Sequence, residues 1–288
     1  MRYRLAPTAL AFTKLARRLS GCRPGIRVLI FHDVEPSAYP AFEGLIKSLH
    51  QNKALVTPEE CAAWLNGTRL INFGSRNSPP CLLSFDDGFA GNHEVAKKIL
   101  SKYGAKALFF ICPGLVELDR QGQSKAVRQR VFSRAREPAP EDRRTRLMDW
   151  DQITDLAAKG HTIGAHGMSH HSLATLEGDE LRQEIILAGD LLSDRLARPI
   201  TWYAYAFGGI GDISATALKI ISERYAYCRS GVRGLNGSGT NPWAIFADHM
   251  DLEAPPSYRE LVTIGGLDPL YRAQRQQLNA FAPPATER

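Results

Sequence analysis

Short, nearly continuous apolar runs recur along the chain and constrain its fold more than any other feature of the sequence. Residues 27–31 and 81–85 are two such runs, and segments with a helical spacing of apolar residues separate them. A strand that is apolar on both sides is typical of a parallel sheet covered on both faces. Because strand and helix alternate with short connectors, the sequence predicts an α/β fold of parallel strands wound by helices. Further strands are predicted at 54–56, 106–111, 161–165 and 202–207.

The chain has 288 residues and is expected to form a single domain, because neither an internal repeat nor a linker divides it. At 44% hydrophobic residues it can bury a sizeable core. The net charge of +6 is small and no aromatic–basic motif accompanies it, which argues against nucleic acid as a partner. Five widely spaced cysteines without a CxxC pair predict buried thiols in a reducing compartment.

Residues 1–24 carry basic side chains around a short apolar patch at 6–12. A signal peptide would need a longer apolar core and a cleavage site, and a membrane span would need about 20 apolar residues. We therefore expect a basic amphipathic helix ahead of a domain at 25–282. Packing on that domain is its expected role, with contact with a membrane surface as the alternative. The expected location is cytoplasmic, either free or peripheral at the inner face of the membrane.

An arginine-rich insertion interrupts the alternation of strands and helices at residues 117–147. It has no sustained apolar period, and its arginines are Arg120, Arg128, Arg130, Arg134, Arg136, Arg143, Arg144 and Arg146. The sequence predicts a solvated, partly mobile excursion here. The alternative is a lid or rim that handles an acidic or phosphorylated substrate.

Acidic and histidine side chains stand directly after three of the predicted strands. They are His32, Asp86, Asp87, His166 and His170. Both acids reach one site only if their strand ends and turns there, and a helix-capping role for one of them is the alternative. The carboxyl ends of parallel strands meet at one edge, where sites assemble. One carboxylate and two imidazoles form a three-ligand set with an open position, for which zinc is the first choice and Co, Fe or Mn are alternatives.

Two motifs give these residues a wider context: SFDDG at 84–88 and HGMSHHSL at 166–173. They resemble the TFDDG-like and H-(S/T)-x-x-H motifs of the polysaccharide deacetylase family, also called the NodB-homology family or carbohydrate esterase family 4. The resemblance covers about residues 28–252 and implies a distorted (β/α)7-type barrel. It also implies Asp86 as the catalytic base and Asp87, His166 and His170 as metal ligands, with His171 as the alternative to His170.

The general acid is assigned by the same resemblance. The exopolysaccharide branch of the family carries a Tyr/Phe-His-Asp motif on its first strand, and His32 stands in that position in this chain. His249 is the alternative acid, although a surface histidine beside Asp248 and Asp251 is the simpler interpretation of that residue.

The segment YAYAFG at 203–208 resembles the third motif of the family. The resemblance implies that the backbone N–H near Phe207 stabilises a tetrahedral oxyanion. Ala206 replaces the usual proline and no arginine precedes the motif, which puts substrate orientation in question. Tyr205 and Trp243 are candidate substrate contacts, and packing in the core is the alternative for Tyr205.

The function implied is metal-dependent removal of an N-acetyl group from an amino sugar. The substrate is expected to be a surface glycan, an exopolysaccharide, or its lipid- or nucleotide-linked precursor. Two alternatives remain: a deformylase or other hydrolase of non-peptide amides on the same fold, and a carbohydrate-binding protein whose site has decayed. The intact Asp86, Asp87, His166 and His170 argue against decay. The sequence does not indicate an oligomeric state.

Overall fold

The computed structural model describes residues 3–20, 24–68 and 78–285. The strands within them are β1 (Arg27–Phe31), β2 (Cys81–Phe85), β3 (Ala107–Ile111), β4 (Thr162–Ala165), β5 (Trp202–Ala204), β6 (Tyr227–Arg229) and β7 (Asp248–His249). They form one sheet in the order β6-β5-β4-β3-β2-β1-β7, and every neighbouring pair is parallel. This curled sheet of seven strands is a distorted (β/α) barrel, so the predicted fold class is confirmed.

Helices connect the strands and pack against them. In the described residues the α-helices are α1 (Ala6–Ser20), α2 (Tyr39–Gln51), α3 (Pro58–Leu65), α4 (Ala90–Lys98), α5 (Pro113–Val116), α6 (Arg120–Ala126), α7 (Trp150–Ala158), α8 (Gly178–Arg182), α9 (Ala188–Leu196), α10 (Ala215–Arg224), α11 (Pro256–Thr263) and α12 (Arg272–Phe281). Local sequence determines where α3 and α7 start, because Thr57 with Glu60 and Asp149 with Gln152 form capping boxes.

The strands are buried on both faces, as their apolar runs predict. Alternate residues of one strand belong to different apolar clusters. Phe31, Phe85 and Phe109 stack across three neighbouring strands with ring centroids 5.4 and 4.9 Å apart. Ile30 faces the other way and packs in a smaller cluster with Trp202. Burial of both faces leaves the strand ends as the place where polar side chains can gather.

The structure corrects three predictions about strands. Residues 54–56 do not form a strand, because only Leu55 makes an isolated bridge, to Cys81. The strand predicted at 202–207 ends at Ala204, and the chain then turns through Phe207 and Gly208, both at positive φ. The last two strands, β6 and β7, are not predicted at all; they are only three and two residues long.

The basic N-terminal segment forms helix α1, which packs against α11. Its residues Ala6 and Leu10 are buried in the main apolar cluster, and Arg17 donates to the carbonyl of Ile264 at 3.0 Å. Within the described ranges, none of the helices combines the length and apolarity needed to cross a bilayer. Cys22 lies outside the described residues, as do residues 69–77, which precede β2.

The arginine-rich insertion is folded rather than irregular. Helix α6 continues as a π-helical turn over Val127–Val131, and a short 3-10 turn follows at Arg143–Thr145. Ala126 and Val127 are buried in a small apolar cluster of their own with Leu147. The sequence does not reveal this core because its apolar residues are separated by arginines and glutamines.

Candidate metal centre and active site

The carboxyl ends of the strands surround a cavity of about 430 Å³. It is lined by Ile30, His32, Asp33, Asp86, Asp87, Phe89, Val131, Phe132, Ala135, Arg144, His166, His170, Phe207, Gly208, Arg229, Gly231 and His249. The strand ends β1, β2, β4, β6 and β7 all contribute, directly or through the turns after them. The residues predicted to carry chemistry therefore come together at one edge of the sheet.

Asp87, His166 and His170 form a buried cluster at the bottom of this cavity. One oxygen or nitrogen of each lies within 4.8 Å of those of the other two. The Nε2 atoms of His166 and His170 lie 3.3 and 3.2 Å from Oδ1 of Asp87. This is the set of residues that the resemblance implies as metal ligands.

Unusual backbone conformations bring these ligands together. Asp87 and His170 have φ of 69° and 63°, in the left-handed region that residues other than glycine seldom adopt. Asp87 is followed by Gly88 at φ 72°, so β2 ends in a sharp turn at the two acids. The turn brings the consecutive side chains Asp86 and Asp87 to one cavity, although an extended strand would direct them to opposite faces.

The contacts around the cluster fit a bound cation. Nδ1 of His166 donates to the carbonyl of Ala204 at 2.8 Å, which leaves Nε2 directed at Asp87 and available as a ligand. Oδ1 of Asp87 is buried and has no hydrogen bond of regular geometry among the described residues, although two imidazoles approach it. Three donor atoms that converge without bonding to one another are suited to a shared metal ion.

The electrostatics of the cluster point the same way. Burial alone would raise the pKa of Asp87, but the adjacent imidazoles outweigh burial and hold that pKa well below its usual range. Burial would lower the pKa of His166, whereas the carboxylates of Asp87 and Asp86 raise it above its ordinary value. The cluster thus favours a positive charge beside Asp87, which either a proton or a metal cation can supply.

Asp86 has a separate partner, Arg229, which the sequence analysis did not identify. The two side chains form a short buried ion pair, and the guanidinium also lies 4.9 Å over the ring of Phe110. Asp86 is therefore held beside the cluster but outside it. The available sequence signal was a charged residue closing the apolar stretch at 225–229, the same pattern that marks the other strand ends.

His32 and His249 lie side by side at the cavity, with ring centroids 5.3 Å apart. His249 belongs to β7, which pairs with β1, and its side chain is exposed, as the interpretation as a surface histidine predicts; the surface it faces is that of the cavity. The preceding acid, Asp248, is buried and pairs with Arg27. Desolvation by the protein atoms around its ring and the nearby His32 lower the pKa of His249 to about 4.

His170, rather than His171, joins the cluster. The side chain of His171 is half exposed, its Nδ1 lies 3.0 Å from Oγ of Ser169, and it faces Glu184 at 3.7 Å. Glu184 also accepts from the backbone N–H of Ser169 and of His171, which stabilises the turn that directs His170 inward.

Of the three residues predicted to contact the oxyanion or the substrate, one lines the cavity and two are buried in the core. Phe207 lines the cavity, and its ring packs edge-on against His170 at 4.7 Å. Tyr205 and Trp243 lie in the core instead of at the cavity. The indole N–H of Trp243 donates to the carbonyl of Tyr225 at 3.0 Å. Their positions give no support to a role in contacting a sugar.

The arginine-rich insertion forms one wall of the cavity through Val131, Phe132, Ala135 and Arg144. Arg134 lies 3.9 Å over the ring of Phe207 and forms a two-point ion pair with Asp212, at 2.6 and 3.0 Å. The insertion is therefore part of the site, as in the lid or rim alternative.

Fold and site together define a class of protein: a distorted (β/α) barrel whose strand ends carry a buried carboxylate–imidazole–imidazole set, with a second carboxylate beside it. A family model described as polysaccharide deacetylase matches residues 74–225, which is more than half of the chain. The chain belongs to the polysaccharide deacetylase family.

Individual relatives are distant. YxkH of Bacillus subtilis (strain 168) is 23% identical over 210 residues, which cover 72% of this chain and 62% of YxkH. The chain thus spans less than two thirds of the length of this curated relative. PplD, a Streptococcus pyogenes deacetylase in complex with acetate, matches with a TM-score of 0.64 and 19% identity over 84% of this chain and 99% of PplD. A de-N-acetylase from Aggregatibacter actinomycetemcomitans matches with a TM-score of 0.63 and 16% identity, over 82% of this chain and 99% of its own. At such identities the two structures show the fold alone.

Proposed function

We propose that the protein is a metal-dependent hydrolase that removes the N-acetyl group from an amino sugar of a surface glycan, an exopolysaccharide, or a lipid- or nucleotide-linked precursor. The observation that carries the proposal is the buried set of Asp87, His166 and His170 opening onto a cavity, with Asp86 held beside it. Two structural neighbours support the reaction type, since one is a deacetylase bound to acetate and the other a de-N-acetylase.

The proposed division of labour follows from the contacts. Asp87, His166 and His170 hold a divalent cation, with zinc first and Co, Fe or Mn as alternatives, and such a cation polarises an amide carbonyl and acidifies water. Asp86, oriented by Arg229, accepts the proton of the attacking water. The backbone N–H near Phe207 hydrogen-bonds the oxyanion, and His32 protonates the departing amine.

The test is metal analysis of the purified protein combined with an amine-release assay on N-acetylglucosamine oligomers. We expect close to one metal per chain and release of free amine. Asp86→Asn should keep the metal and lose on the order of 100-fold or more in turnover, because it removes the general base. His170→Ala should lose both metal and turnover.

Two outcomes would contradict the proposal in different ways. Failure of the wild-type protein to retain any metal near stoichiometry would overturn it altogether. Stoichiometric metal without amine release would instead favour a hydrolase of another non-peptide amide, with formylated substrates as the next assay.

The assignment of the general acid is tested with the two neighbouring histidines. His32→Ala should keep the metal and lose most turnover, while His249→Ala, its matched neighbour, should lose much less. The reason is that the pKa of His249, lowered to about 4, leaves its ring neutral near neutral pH, and a neutral imidazole is a much weaker acid than an imidazolium. A larger loss of turnover in His249→Ala than in His32→Ala would identify His249 as the general acid. Loss of metal in His32→Ala would show that His32 is a metal ligand.

We further propose that helix α1 contacts a membrane surface. Four of the seven large apolar side chains that are exposed in the described residues lie on or next to this helix: Leu5, Phe12, Leu15 and Leu19. Their spacing places them on one side of α1, opposite the side that packs against α11. The exposed Arg4 and Arg18 flank them and suit an anionic lipid surface.

Vesicle flotation tests this contact with the full chain. We expect flotation with phosphatidylcholine vesicles that contain phosphatidylglycerol, and its loss in Phe12→Ser/Leu15→Ser. Leu187→Ser, an exposed leucine on another element, is the control and should still float. Equal flotation of all variants would overturn the proposal. So would a dimer that the double variant abolishes, because the apolar side would then bind a second copy.

A further inference from the structure

A second cavity lies beside the active site, and three of its nine lining residues are arginines. This groove has a volume of about 650 Å³. Its principal lining residues are Ala90, Gly91, Glu94, Arg120, Arg143 and Arg146. Arg144 instead lines the active-site cavity, so adjacent arginines of one short turn serve two different cavities.

The arginines of the groove differ from the others of the insertion in their partners. Arg128, Arg134 and Arg144 each form an ion pair of 2.6 Å with a carboxylate. In the part of the chain that the structure describes, Arg120 and Arg146 have no carboxylate partner. Two exposed guanidinium groups without a carboxylate partner thus face one cavity.

Like charges are held together here by the fold. Arg120 donates from Nη1 and Nη2 to the carbonyl and hydroxyl of Thr145, at 2.8 and 2.9 Å. Thr145 is fully buried and stands in sequence between Arg143 and Arg146. Arg120 and Arg146 are both exposed, and partial desolvation, followed by the charge of Arg146, lowers the pKa of Arg120.

Arg143 connects the groove to the active site. Its Nη1 lies 3.6 Å from Oδ2 of Asp33, and Asp33 lines the active-site cavity next to His32. Nη1 is buried and has no hydrogen bond among the described residues. Gly91 permits this approach, because a Cβ at that position would overlap Asp33. The neighbouring side chains of Arg143 and Asp33 therefore separate the groove from the active-site cavity.

The opposing charge in the groove is small. Glu94 is the acidic residue among the lining side chains, and its carboxylate already accepts from Lys98 at 3.1 Å and from Tyr39 at 3.3 Å. A guanidinium group can donate two parallel hydrogen bonds to the oxygens of a phosphoryl group. The volume of the groove is also larger than a single small anion needs.

We propose that this groove binds a diphosphate group of the substrate, so that the acetylated sugar in the neighbouring cavity is part of a diphosphate-linked precursor. The inference rests on the proposed deacetylase function and specifies its substrate class. A nucleoside diphosphate and a prenyl diphosphate present the same group, and the kinetic assay separates these two sources.

Direct binding is the first part of the test. Inorganic pyrophosphate is titrated calorimetrically into the full-length wild-type protein, Arg146→Glu, and the matched control Arg136→Glu, which makes the same charge change at an exposed arginine outside the groove. We expect affinity to fall roughly tenfold or more in Arg146→Glu, since it loses a charge-assisted contact. The control should stay within about twofold of wild type, as distant surface charges are screened. Equal affinity in all three proteins, or an equal fall in both variants, overturns the proposal.

Kinetics form the second part and keep the two proposals distinguishable. With N-acetylglucosamine linked to a nucleoside diphosphate or to a short prenyl diphosphate, Arg146→Glu should raise KM roughly tenfold and leave kcat nearly unchanged. With neutral N-acetylglucosamine oligomers the variant should behave as wild type. An equal effect on neutral and diphosphate substrates overturns the groove. If pyrophosphate binding depends on Arg146 but no substrate releases amine, the groove stands and the proposed deacetylation fails.

Discussion

Asp86 and Asp87 are adjacent in sequence but differ in every contact that matters for chemistry. Asp87 faces two imidazoles, whereas Asp86 pairs with a single arginine from the far end of the sheet order, Arg229 on β6. The turn at Gly88 makes this separation possible. The ion pair with Arg229 holds the Asp86 carboxylate at the cavity without drawing it into the cluster.

The pairing predicts a large and recoverable loss of stability. Arg229→Met leaves the buried Asp86 carboxylate without its partner, and breaking a buried pair costs about 3–5 kcal/mol. Adding Asp86→Asn removes the uncompensated charge and should restore most of that free energy of unfolding. Urea unfolding of the two single variants and the double variant measures the coupling.

The control for this cycle is Arg136→Met at an exposed position, which should change stability by less than about 0.5 kcal/mol. If Arg229→Met is no less stable than this control, the pair contributes little and Asp86 is held by other contacts.

Sequence reasoning located the site residues that follow recognisable strands, but it missed Arg229 and named His249 only as the alternative acid. Asp86, Asp87, His166 and His170 could be located because β2 and β4 are recognisable strands. Arg229 and His249 end strands of three and two residues, and no periodicity can be detected over so short a length. The pairing of Arg229 with Asp86 also spans 143 positions, which no local pattern records.

At the scale of elements, the arginine-rich insertion is attached to the site by one side chain in particular. Arg134 covers the ring of Phe207 at 3.9 Å and pairs with the buried Asp212, while Phe207 packs against His170. The insertion therefore supports the position of Phe207, whose own backbone is at φ 63°.

Removing this support should impair catalysis more than stability. Arg134→Ala loses a cation–π contact and an ion pair on a half-exposed side chain, so we expect a loss of about tenfold in kcat/KM with metal content unchanged. Steady-state amine release and metal analysis check this. Arg136→Ala, two residues along, is the control, and an equal effect of both changes would show that Arg134 acts through charge alone.

The sequence predicted the fold class correctly but predicted several individual elements incorrectly. Nearly continuous apolar runs identified β1 to β4 because these strands are covered on both faces. The insertion was expected to be a solvated excursion, and its small core around Val127 and Leu147 is hidden among charged residues. Residues 54–56 have the composition of a strand, yet only Leu55 pairs with the sheet, because tertiary context overrides propensity in short segments.

At the scale of the whole molecule, stability should depend on pH through a histidine remote from the cavity. His161 precedes β4, and its Nδ1 accepts from the backbone N–H of Ala107 at 3.2 Å, which requires the neutral ring. Burial, with Lys106 and Lys159 nearby, lowers the pKa of His161 from 6.5 to about 4. Below pH 6.5 the unfolded chain therefore binds a proton that the folded chain does not.

We therefore expect the free energy of unfolding to fall as the pH drops from about 6.5 to about 4, by up to roughly 3 kcal/mol for this group. Denaturant unfolding across that range measures the slope, and His161→Asn should flatten it. Asp33 acts in the opposite sense: burial raises its pKa from 3.8 to about 6, so it lowers stability as pH rises between those values. Asp33→Asn should accordingly steepen the slope, and an unchanged slope in His161→Asn would contradict the assignment.

The return of the insertion to the barrel has a consequence for how this protein can vary. Phe89 and Leu147 form an antiparallel bridge, Ala90 donates to the carbonyl of Arg146, and Met148 donates to that of Gly88. Backbone hydrogen bonds thus join the end of the insertion to the turn that presents Asp87. Trimming or grafting the insertion would therefore disturb the turn that presents Asp87 together with one wall of the cavity. Sequence changes in the insertion should consequently alter the shape of the cavity and the position of Asp87 together.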